Sequence, residues 1–130
     1  MIHYSSDYVY HNHHKRPLLE TDPTSPQGVY ATTKLNGDEA ALAAHNRVIV
    51  LRTSWVYSTF GHNFVKTMLR LGKERDEIRV VSDQIGSPTY ARSLAKASLG
   101  ILQQIEQQSL PAEAQHAVSH YSNEGSCSWY

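Results

Sequence analysis

Residues Val48 to Val56 read VIVLRTSWV. Four consecutive apolar residues followed by an arginine and two hydroxyls do not show the alternation of a strand with one wet face. They fit a parallel strand covered on both faces, with polar groups gathered at its carboxyl end. Upstream, Ser25 followed by Pro26 reads as an N-cap and first helical position, opening an alanine-rich helix to about Ala44. Before it, His11 to Gln27 is polar, carries three prolines and reads as a loop. Ile2 to Tyr10 (IHYSSDYVY) is β-branched and aromatic, without Gly or Pro, and reads as another strand.

Downstream, Asn63 caps a helix in which Phe64, Thr67, Met68 and Leu71 share one face, while Lys66, Arg70, Lys73, Glu74 and Arg75 take the other. Ile78 to Ser82 (IRVVS) reads as a short strand. Ser87-Pro88 repeats the cap-then-proline signature before a long helix with Ala91, Leu94, Ala95, Ser98, Leu102 and Ile105 as its inner stripe. Ser109 to Gln115 is a loop, His116 to Tyr121 a last strand, and Asn123 to Gly125 a turn. Ser126 to Tyr130 reads as the first turn of a further helix. Strands alternating with helices select an α/β fold with a mostly parallel sheet.

The chain has 130 residues, enough for one domain with a real core, and 40% of them are hydrophobic. Twelve Lys and Arg balance twelve Asp and Glu, which leaves no basic excess for nucleic acid. The apolar stretch Val48 to Leu51 falls far short of the ~20 residues needed to cross a membrane. A lone cysteine, Cys127, and no signal-peptide pattern suit the cytoplasm.

Three polar clusters carry chemistry. Ser5-Ser6-Asp7 lies near the end of the first strand, and ligands of open α/β sheets bind beyond the carboxyl ends of the strands. Tyr30 and Lys34 stand four residues apart on a helix, hence on one face. An ammonium ~6 Å from a phenol, at an effective dielectric of ~20, favours phenolate by roughly 2.8 kcal/mol and so suits proton transfer near neutrality. Arg52 to Tyr57 (RTSWVY) ends the second strand with aromatics suited to stacking on a sugar or base, or to core packing.

A strand-end serine with YxxxK following 24 residues later is the arrangement of the short-chain dehydrogenase/reductase superfamily. Within it, the chain resembles the dTDP-4-dehydrorhamnose reductases. The resemblance runs through SSDYVY, ETDPTSPQGVYATTKLNGDEA, LRTSWVYSTFGHNFVKTMLRLGKERDEIRVVSDQIGSPTYARSLA and HYSNEGSCSW. It implies a doubly wound, Rossmann-like sheet and reduction of dTDP-4-dehydro-L-rhamnose to dTDP-L-rhamnose with NADPH or NADH. By resemblance Tyr30 is the proton donor. Lys34 binds the nicotinamide ribose and tunes Tyr30. Ser6 stands where the family usually has Thr and polarises the carbonyl, Asp7 holds the sugar, Tyr4 lines the cofactor, and Trp55 packs against the sugar. The family's longer members leave room for Mg²⁺ and a homodimer, and nothing in this segment supports the metal.

Two departures stand against the family pattern. His11-Asn12-His13-His14 replaces a loop that usually holds a glycine, and without a convergent acidic or Cys partner it reads as solvent-exposed rather than metal-binding. The seven glycines, at positions 28, 37, 61, 72, 86, 100 and 125, are never closer than nine apart, so no glycine-rich phosphate turn exists here. The expectation is a single partial domain over 1–130. It comprises the later half of a Rossmann-like reductase domain and the start of its substrate-binding region, and is inactive alone. A related reductase acting on another nucleotide sugar, or a non-catalytic interaction subunit of the same fold, are the other readings.

Overall fold

The computed structural model describes residues 1–10 and 16–130. The His11–His14 stretch lies outside the described residues. Three parallel strands form the central sheet in the order β1 (Ile2–Ser6), β2 (Ile49–Thr53), β6 (Ala117–His120). Register pairs Ser6 with Thr53 and Arg52 with His120, so the carboxyl ends of all three strands gather at one end of the sheet.

Strand β2 is the buried centre, as its apolar run predicts. Val48 and Val50 are fully inaccessible and pack with Ala41 and Leu42 of helix α1 (Gly28–Ala44). Ile49 and Leu51 pack against Leu94, Ile101 and Ile105 of helix α3 (Ala91–Glu106) on the opposite face. Each such aliphatic side chain contributes about 1.5–3 kcal/mol by leaving water. One helix on each face makes the sheet doubly wound. The small residues of α1 serve it as expected, with Ala31 and Ala41 buried against the sheet side.

Several boundaries differ from expectation, each for a local reason. The first strand stops at Ser6, whose hydroxyl accepts the Tyr8 N–H and turns Asp7–Val9 into a 3₁₀ helix. Helix α1 opens at Gly28 (φ 80°), not at Ser25, whose N–H ties the preceding segment to the Val9 carbonyl at 3.0 Å. The Val48–Val56 run breaks after Thr53, and Val56–Tyr57 forms a separate strand β3 paired with β5 (Thr89–Tyr90). Helix α3 follows Tyr90 and not Ser87-Pro88, since the Ser87 hydroxyl donates to Gly125 O instead of capping a helix. Its buried positions are Leu94 and Ser98, with Ile101 and Ile105 partly covered, whereas Ala95 and Leu102 face solvent.

Helix α2 (Phe64–Glu74) begins as predicted, with Asn63 accepting the Lys66 N–H at 3.1 Å. Residues 78–82 carry no strand, because no described strand lies alongside to complete a ladder. The predicted loop 109–115 contains a 3₁₀ turn at Ala112–Gln115. Ser126–Tyr130 is not helical: β7 (Cys127–Ser128) pairs antiparallel with β4 (Ile85–Gly86), and Trp129 donates to Gln84 at 3.0 Å. That side-chain anchoring overrides the local helical pattern.

Candidate active site

Three elements bring the polar clusters to the carboxyl end of the sheet. Ser6, the last residue of β1, donates to Asp7 Oδ1 at 3.1 Å while accepting the Tyr8 N–H at 3.2 Å. Burial pushes the Asp7 carboxyl above its ordinary value, and the Ser6 hydroxyl partly opposes that rise. From α1, the Tyr30 ring meets the Tyr8 ring edge-on, 5.9 Å between centroids at 86°. Tyr30 is 59% exposed and so open to a ligand. One turn on, Lys34 Nζ donates to the Tyr4 main-chain oxygen at 2.6 Å. Helix α1 thus sets Tyr30 against Tyr8 and Lys34 against the Tyr4 backbone, each partner two residues from Ser6. The Tyr4 phenol itself turns to α3 and donates to Ser98 Oγ at 2.8 Å.

Trp55 lies two residues beyond the end of β2 and occupies a left-handed conformation (φ 48°) that bulky side chains seldom adopt. Its indole stacks on Trp129 at 3.7 Å, and Phe64 meets Trp129 edge-on at 4.4 Å. Gly86 permits the placement: a Cβ there would stand 2.5 Å from the indole. With Tyr57 and Pro88 these rings line a cavity of about 360 Å³. Tyr30, Lys34 and Ser6 do not line that cavity, although β1 and β2 end side by side.

Sequence reasoning missed a buried polar network. Asp38, 1% exposed, accepts from Arg52 Nε at 3.1 Å, and His3 Nε2 lies 3.3 Å from its other oxygen without hydrogen-bond alignment. Arg52 Nη1 donates to the Tyr10 hydroxyl at 2.6 Å, and that hydroxyl lies 2.8 Å from His120 Nε2. Burial raises the Tyr10 phenol, with the Arg52 hydrogen bond opposing, so the phenol keeps its proton. Removing one partner of such a buried ion pair costs about 3–5 kcal/mol. Two signals were in the sequence: an arginine directly after an apolar strand run, and an aspartate one helical turn beyond Lys34.

Among the described residues no three His, Cys, Asp or Glu side chains converge to hold a metal, and no helix is long and apolar enough to cross a membrane.

A sheet covered on both faces, with a hydroxyl–carboxylate pair, a tyrosine and a lysine at its carboxyl end, has the Rossmann fold of reductases. A crystal structure of dTDP-4-dehydrorhamnose reductase from Bacillus anthracis in complex with NADP shares it, at a TM-score of 0.81 and 41% identity over 98% of this chain and 42% of that one. The Clostridium acetobutylicum structure of the same name gives a TM-score of 0.85 at 39% identity, covering 99% of this chain and 42% of that one. Residues 1–130 match the family model described as RmlD substrate binding domain, and the chain belongs to that family. The Escherichia coli dTDP-4-dehydrorhamnose reductase is 42% identical over 130 residues, all of this chain and 42% of the relative. The chain thus spans about 42% of the length of such curated relatives.

The fit of a nicotinamide cofactor divides in two. An exposed phenol and an ammonium above the end of β1 suit ribose hydroxyls, and the Thr53 and Ser5 hydroxyls are buried without partners near the same ends. The pyrophosphate end finds no cradle, because no two glycines stand closer than nine residues apart. Tyr30 and Lys34 would therefore hold the nicotinamide riboside portion.

Proposed function

We propose that this chain supplies the proton-transfer and sugar-contacting part of an NADPH-dependent reductase converting dTDP-4-dehydro-L-rhamnose to dTDP-L-rhamnose. Bound NADPH supplies the hydride to C4. The Tyr30 phenol donates its proton to the C4 oxygen as hydride reaches C4, so the carbonyl becomes a secondary alcohol and the tyrosine is left as phenolate. Lys34, held at the Tyr4 carbonyl, keeps a positive charge near the phenolate that remains. The Ser6 hydroxyl polarises the carbonyl, Asp7 binds the sugar, and Trp55 forms the aromatic wall against it. The other segments of a reductase of the family's length provide the phosphate-binding turn and the remaining sugar contacts. The exposed thiol of Cys127 and the family's biosynthetic relatives support a cytoplasmic setting.

The observation that carries this reading is the placement of Tyr30 and Lys34 on one face of α1, over the strand end that bears Ser6 and Asp7. The test is NADPH oxidation by a family-length reductase carrying this segment, with dTDP-4-dehydro-L-rhamnose against other 4-keto nucleotide sugars. Turnover of the rhamnose precursor that collapses in Tyr30→Phe supports the reading. Preference for another nucleotide sugar moves the assignment to a related reductase, and no oxidation with any of them leaves only the interaction-subunit reading.

A further inference from the structure

We infer that Arg52 is the positioning residue of this site, fixing in one register the three elements that carry its reacting groups; the inference rests on the reductase reading above. The guanidinium is 7% exposed and its bonds diverge. Nε binds Asp38 on α1, and Nη1 binds Tyr10, which closes the turn after β1. Arg52 itself sits at the carboxyl end of β2, three residues before Trp55.

Each bond reaches an element bearing proposed chemistry. On α1, Asp38 lies about one turn beyond Lys34, about 6 Å along the axis, and is buried where Tyr30 is exposed. In the turn, Tyr10 donates its N–H to Asp7 O at 2.9 Å, and the turn opens on the Ser6 hydroxyl. A shift of the guanidinium therefore displaces Tyr30 relative to Ser6 and Asp7.

The residue type matters. A planar fork holds two acceptors in fixed, diverging directions, whereas an ammonium on a flexible stem is a point charge. Tyr10 accepts from Arg52, and the same hydroxyl lies 2.8 Å from His120 Nε2. The network thus connects Arg52 through Tyr10 to His120 of β6.

The test uses a family-length reductase carrying this segment, with kcat, both KM values and the thermal midpoint measured for Arg52→Lys, Arg52→Met, Tyr10→Phe and Tyr30→Phe. Arg52→Lys should recover the midpoint lost in Arg52→Met yet leave kcat down by roughly 10- to 100-fold, within what a misplacement of about 1 Å costs. Tyr10→Phe, which deletes one hydroxyl, should lower kcat about fivefold with KM for NADPH unchanged. If Arg52→Lys and Tyr10→Phe both turn over at the parent rate while Tyr30→Phe is crippled, the positioning role is overturned and the reductase reading stands. Parental turnover in Tyr30→Phe overturns the reductase reading itself. Should the Arg52 variants fail to fold, Tyr10→Phe decides alone.

Discussion

Lys34 Nζ binds the main-chain oxygen of Tyr4, not a side chain, so the ammonium of α1 is tied to the backbone of β1 at 2.6 Å. That anchor survives any substitution at position 4 that keeps the strand. The charge beside Tyr30 is set by the packing of helix on sheet.

Turnover should follow from that pairing. In a family-length reductase, Tyr30→Phe keeps the ring against Tyr8 and removes the proton, so kcat should fall by roughly 10²–10⁴. Lys34→Met should lower kcat and also raise KM for NADPH. Steady-state kinetics checks both, and near-parental turnover in Tyr30→Phe would remove the proton-donor role.

Trp55 should control the sugar and not the cofactor. Trp55→Ala, or Gly86→Ala forcing the indole aside, should raise the sugar KM roughly tenfold, the size of a lost aromatic contact of about 1–1.5 kcal/mol, with NADPH affinity unchanged. A large drop in melting temperature without a KM change would make Trp55 a packing residue alone.

Asp7 gives a pH prediction with a definite sign. Its folded-state pKa lies above the usual 3.8, chiefly through burial, so the folded state binds more protons than the unfolded one in that window. Stability therefore falls as pH rises from about 3.8 through the raised value, and the penalty is complete above it. Asp7→Asn should raise the melting temperature at pH 7, with the gain disappearing below about pH 3.8. A gain of equal size at pH 3 would mean that ionisation is not its cause.

The 130-residue chain on its own should bind NADPH weakly and reduce nothing, since it offers riboside contacts without a glycine-rich phosphate turn. Calorimetric titration is the direct measurement. A micromolar or tighter Kd would show a complete cofactor site within these residues.

The sequence carried the fold where a single physical cue dominates. The run Val48–Leu51 announced a strand buried on both faces, and Asn63 announced the start of α2. It misled where a local cue gives way to tertiary contacts: the Ser25 segment is tied to Val9, the Ser87 hydroxyl goes to Gly125, and Trp129 to Gln84 and Trp55. That Tyr30 and Lys34 share a helix turn, and that Ser6 and Asp7 stand at a strand end, followed from spacing, while their proposed roles came from the family resemblance. The Asp38–Arg52–Tyr10–His120 network was not legible, since its members are up to 110 residues apart and pairing of that kind is decided only by tertiary packing.

Strand β6 is one of the two edges of the three-stranded sheet, where a foreign strand could add. Glu20 Oε1 accepts the His120 N–H there at 2.8 Å, and that bond, with its own backbone amide, holds the carboxyl below its ordinary 4.5. The last amide of the margin is thus already spoken for by a carboxylate from the polar, proline-bearing loop. Acidification through that lowered pKa weakens the guard, so strand addition at this particular edge should become easier on the acid side.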